Sequence, residues 1–192
     1  MTRREAISRT AFLLGIPTII GAEAFISGCT PKRNIFNEPD FSPEKIAFLD
    51  EVGETILPTT PSSPGAKAAQ IGEFMKVIVT DCYEENDQKI FMEGLGQINE
   101  KSRQDFGKDF VELSAEDKLT LLNSIHDEMN AYNDTKKKGD PNHYFSLVKQ
   151  LTLWGYFTSE IGSTKALNYL PLPGKYEGCI PYQKGDKLWA AI

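Results

Sequence analysis

Five stretches of the chain repeat apolar residues at intervals of three or four, and no stretch alternates them long enough to make a sheet. That spacing puts each set on one face of a helix, so it restricts the chain to an all-α architecture. Ile46, Leu49, Val52 and Ile56 form the first set, preceded by Ser42-Pro43 as N-cap and first helical residue. Ile71, Phe74, Ile78 and Cys82 form the second, which turns Cys82 inward near a helix end. Ile90, Leu95 and Ile98 suggest a third helix, weakened by Gly94 and Gly96. Ser114-Ala-Glu-Asp117 resembles a capping box ahead of Leu119, Leu122, Ile125 and Met129.

The breaks between these segments are as informative. PTTPSSPG at 58–65 holds three prolines and a glycine and has to be a loop, and KKKGDPN at 136–142 reads as a solvated turn. A fifth helix, from about His143 to Ile161, carries Tyr144, Phe145, Leu147, Val148, Leu151, Trp154, Tyr156 and Phe157. Apolar around much of its circumference, it is either central to a bundle or partly covered by another chain. Beyond Gly162, proline and glycine recur every few residues with aromatics between them. The expectation is one bundle-like domain over 42–192, of about five helices, with an extended Pro/Gly/aromatic-rich tail wrapped over its surface.

The first 28 residues read differently. Arg3, Arg4 and Arg9 precede the mildly apolar run AFLLGIPTIIGAEAF, and small residues follow, the order of an export signal. Ala11 to Ile26 is only 16 residues long and contains Pro17 and Glu23, whereas a spanning helix needs about 20 apolar residues. ISGC at 26–29 resembles the bacterial lipobox, which implies a diacylated Cys29 as the first mature residue. Two or three acyl chains hold a protein at a bilayer where one binds only marginally. Arg3-Arg4 resembles the pair of twin-arginine signals, although Glu5, Ala6, Ile7 and Ser8 stand where that family carries phenylalanine and lysine. TPKRNIFNEPDF then serves as a tether, so that 29–41 joins lipid to domain.

Charge and chemistry exclude several functions. The chain carries −6, and its first 28 residues hold three arginines against two glutamates, so the remainder is one unit more negative and unsuited to nucleic acid. Neither His126 nor His143 has a partner at metal-ligand spacing, and both read as surface or helix-end histidines. GxGxxG, P-loop, CxxC and CxxCH motifs are absent, and Ser159-Glu160 lacks the base that a nucleophile needs. No residue is assigned a catalytic role. An exported chain with two remaining cysteines invites a Cys82–Cys179 bridge; the alternatives are one buried and one exposed thiol, or a bridge to another chain.

LTLWGYFTSEIGSTKALNYLPLPGKYEGCIPY at 151–182 resembles the closing segment of the gluconate 2-dehydrogenase subunit 3 family, most strongly in GYFTSEIG and LPGKYEGC. ILPTTPSSPGAKAAQIGEFM at 56–75 and VTDCY at 79–83 match more loosely, in the same order. The resemblance implies a small helical exported subunit accompanying a large flavin-dependent dehydrogenase of the glucose-methanol-choline type. FAD and the catalytic base would belong to that large subunit, a cytochrome c would accept its electrons, and this chain would bind no cofactor. Its role would be export, maturation and membrane tethering of the partner, facing the periplasm. Trp154, Tyr156, Phe157, Tyr169, Tyr176 and Tyr182 exceed what a helical core of this size needs and are the expected docking residues. The competing expectation is a free-standing periplasmic lipoprotein that binds a small ligand or glycan.

Overall fold

A computed structural model describes residues 40–172, 174, 179 and 181–190. Among them are five α-helices: α1 (Pro43–Ile56), α2 (Ile71–Cys82), α3 (Glu85–Phe106), α4 (Ala115–Thr135) and α5 (Tyr144–Thr158). Short 3-10 turns at Ala66–Ala69 and Phe110–Glu112 and a π-turn at Gly162–Ala166 complete the regular structure. No strand is formed by the described residues, only the isolated bridges Thr60–Ser63 and Asn168–Trp189. The all-α expectation holds.

The ends of the helices follow local chemistry. Ser42 Oγ accepts from the Lys45 amide at 3.3 Å, and Pro43 occupies the first helical position, where its missing N–H costs nothing. Gly107, at φ 70°, closes α3 in the left-handed conformation that only glycine adopts freely. Ser114 Oγ accepts from the Asp117 amide at 3.2 Å and donates to the Asp117 carboxylate at 2.7 Å. The reciprocal capping box falls instead one turn upstream, where Asp109 and Glu112 bracket the 3-10 turn.

α5 lies at the centre, packed against each of the other four helices. Of the two settings open to its wide apolar surface, the bundle interior accounts for Tyr144, Phe145, Leu147, Val148, Leu151 and Tyr156, all buried. Around it are Phe48, Leu49 and Val52 of α1, Ile71, Met75 and Val79 of α2, Phe91, Leu95 and Ile98 of α3, and Leu122 and Ile125 of α4. Each such side chain contributes about 1.5–3 kcal/mol on burial. Phe110 plugs the base of the bundle, edge-on to Phe48 with ring centroids 5.5 Å apart.

Two buried faces differ from the sequence reading. On α2 the interior row is Ile71, Met75 and Val79, while Phe74 and Ile78 are half-buried. Cys82, the last residue of this helix, is exposed rather than turned to the core. On α4, Leu121 takes the buried position expected of Leu119, which is 50 % exposed. In each case a second apolar row ran beside the first, and the packing of neighbouring helices selected between them.

Candidate interaction surface

The loop after α1 is tied both to α1 and to α5. Glu54 at the end of α1 turns its carboxylate back into the PTTPSSPG loop, accepting from the Thr59 amide at 2.8 Å, the Thr59 hydroxyl at 2.7 Å and the Lys67 amide at 3.0 Å. Glu51, one turn earlier, pairs with Lys67 and, at 2.9 Å, with Lys118 of α4. Those two ammonium groups, Lys67 first, hold the Glu51 carboxyl below the ordinary glutamate range. From the other side the Tyr156 hydroxyl donates to the Pro64 carbonyl, across 92 residues of sequence.

Tyr156 is therefore a structural residue. Only 3 % exposed, it anchors the loop from inside the bundle and is removed from the set of docking candidates. The neighbouring rings differ. Trp154 is 50 % exposed and Phe157 37 %, and their spacing places them on adjacent turns of one side of α5. Trp154 meets Phe74 of α2 edge-on, with centroids 5.5 Å apart at 87°. Gly155 permits this approach, because a Cβ there would lie 2.4 Å from the Phe74 ring. Val77, one turn along α2 from Phe74, is 53 % exposed and continues the apolar patch.

Of the remaining candidates, Tyr169 and Tyr182 are exposed, and Tyr176 lies outside the described residues, as do Arg3, Arg4 and Cys29. Cys82 and Cys179 are both free and exposed, so the bridge expected between them is not formed in this structure. Cys82 is the last residue of α2, past the buried Val79.

Among the described residues no group of three or more His, Cys, Asp or Glu side chains is placed to hold a metal, and no helix is long and apolar enough to cross a membrane. His143 caps α5: its Nδ1 accepts from the Phe145 amide at 3.2 Å, and burial pushes its pKa below the ordinary histidine value. His126 is half-buried in mid-α4, with Nε2 3.5 Å from Lys149 Nζ. Sequence reasoning passed over that pair because 23 residues separate its members and neither belongs to a motif.

A family model described as gluconate 2-dehydrogenase subunit 3 matches residues 43–174, more than half of the chain and all five helices. No curated protein and no solved structure matches the chain.

Proposed function

The chain belongs to the gluconate 2-dehydrogenase subunit 3 family, and on that premise we propose that it is the non-catalytic small subunit of a large flavin-dependent sugar or polyol dehydrogenase. The observation that carries this reading is the family match across the whole helical bundle, from the first residue of α1 to beyond the π-turn. FAD and the substrate pocket belong to the partner in this reading, and a cytochrome c takes its electrons. The patch of Trp154, Phe157, Phe74 and Val77 receives the partner, since large rings at half-exposed positions are the common anchors of an interface.

Export and tethering complete the proposal. Arg3 and Arg4 direct the chain to the twin-arginine route, which carries folded cargo and lets a partner without a signal of its own cross alongside. Lipid on Cys29 then makes this chain the periplasm-facing membrane tether of the complex.

The deciding experiment is purification of the tagged full chain from native membranes. A flavin-containing protein that oxidises a sugar or polyol is expected to accompany it, and mass spectrometry is expected to find an acylated N-terminal Cys29. Cys29→Ser is expected to release the chain, and its partner with it, from the membrane fraction. Recovery of the chain always alone would overturn the accessory-subunit reading in favour of a free-standing ligand-binding lipoprotein.

A further inference from the structure

Away from the aromatic patch, a cleft of about 160 Å³ opens between the last turn of α1 and the N-terminal halves of α4 and α5. Ile56, Leu122 and Phe145 make its wall, and Leu119, displaced from the core, stands half-exposed among its lining residues. Asn123, His126 and Lys149 make its polar side.

The polar side has donor capacity that the fold leaves unused. His126 Nε2 lies 3.4 Å from Asn130 Nδ2 and 3.5 Å from Lys149 Nζ. Edge-on contact with Phe145, centroids 6.4 Å apart, steadies the imidazole. Lys67, Lys101, Lys118 and Arg103 each pair with a carboxylate. Lys149, half-buried, has an imidazole beside it and no carboxylate partner among the described residues. A cation partly withdrawn from water costs free energy until an anion or a set of acceptors meets it. Here it stands in a chain whose net charge is −6.

Size narrows what that anion can be. A cavity of about 150 Å³ takes up a benzene ring, whereas sites for larger ligands begin near 300 Å³. The cleft is therefore too small for a nucleotide, a flavin or an oligosaccharide, and its apolar wall disfavours a polyhydroxylated acid. We infer that it binds a small carboxylate with a compact apolar body, the charge on Lys149 and Asn123 and the body against Ile56, Leu122 and Phe145. A free acid and a carboxylate carried by an associated protein present this same chemistry.

Benzoate is the probe, titrated into the purified full chain and followed through its amide and histidine-ring NMR signals. Saturable shifts are expected around His126 and Lys149. Benzyl alcohol, with the ring but no charge, and gluconate, with the charge but no apolar body, are each expected to bind at least about tenfold more weakly. Lys149→Gln is expected to lose about tenfold or more, and Lys149→Arg to retain binding. Equal binding of benzoate and benzyl alcohol, unchanged affinity in Lys149→Gln, or no saturable shift would each overturn the assignment; the first and last comparisons use the unaltered chain and need no variant to fold. Repeating the titration on any complex recovered from native membranes separates the two sources. Continued benzoate binding there identifies a free acid, and its exclusion identifies a carboxylate of the partner. The free-chain readout stands or falls independently of the accessory-subunit reading.

Discussion

His143 begins α5 with one ring nitrogen. Its Nδ1 can accept from the Phe145 amide only while the imidazole is neutral, and burial favours that form; Glu128 opposes the effect and Lys101 reinforces it. The ring also stacks on Tyr144, centroids 4.4 Å apart, and leans on Tyr132. With its folded-state pKa depressed below 6.5, the folded chain holds fewer protons than the unfolded chain near that pH. Its contribution to stability is therefore complete above about pH 6.5 and is lost as the pH falls through the depressed value. Urea unfolding from about pH 7 to about pH 5 is expected to show this loss, on the scale of an N-cap, roughly 1 kcal/mol. His143→Asn, which caps without titrating, is expected to flatten the dependence; an equally steep profile in that variant would place the effect elsewhere.

At the scale of elements, Gly94 shows why a helix can be sound where its sequence looks poor. Of the two glycines that weakened the third helix in the sequence, Gly94 sits where α5 crosses α3, and a Cβ on it would lie 2.4 Å from Tyr144 Cβ. That atom is tied to the α5 backbone and cannot be moved aside by a change of rotamer. Alanine would gain about 1 kcal/mol of helix propensity, but overpacking costs about 1–3 kcal/mol, and at so short a distance the upper part of that range applies. Gly94→Ala is expected to lower Tm by a few degrees in a circular-dichroism melt; a raised Tm would show that the helices separate freely. Periodicity made the existence and order of all five helices legible, together with the Ser42 cap and the 58–65 loop. It could not choose between Phe74–Ile78 and Met75–Val79, or between Leu119 and Leu121, because either row continues an apolar stripe. That choice belongs to neighbours distant in sequence. So do the loop contacts of Glu54 and Tyr156, and the meeting of His126 with Lys149.

For the whole molecule, the aromatic surplus of α5 divides into two parts with opposite consequences. Tyr156 is buried and its hydroxyl holds Pro64, so Tyr156→Phe deletes a hydrogen bond worth about 1 kcal/mol and Tyr156→Ala opens a cavity costing roughly 3–5 kcal/mol. Any loss of partner in those variants would follow from a loosened bundle. Trp154 and Phe157 keep half and more than a third of their surface in water, Trp154 against a Phe74 ring already seated on Gly155. Truncating a ring at such a position leaves the five-helix core intact, and changes at exposed sites away from the core commonly stay near 0.5 kcal/mol. If the patch receives the dehydrogenase, the same truncation removes an anchor, at about 2 kcal/mol or more and on the order of thirtyfold in affinity. Phe157→Ala and Trp154→Ala are accordingly expected to keep Tm within a few degrees of wild type while sharply reducing the flavin protein recovered with the tagged chain. Tyr156→Phe is expected to do the reverse, lowering Tm and leaving recovery nearly unchanged. A stable Trp154→Ala, Phe157→Ala double variant that still retrieves its partner in full would move the docking surface off this face of α5.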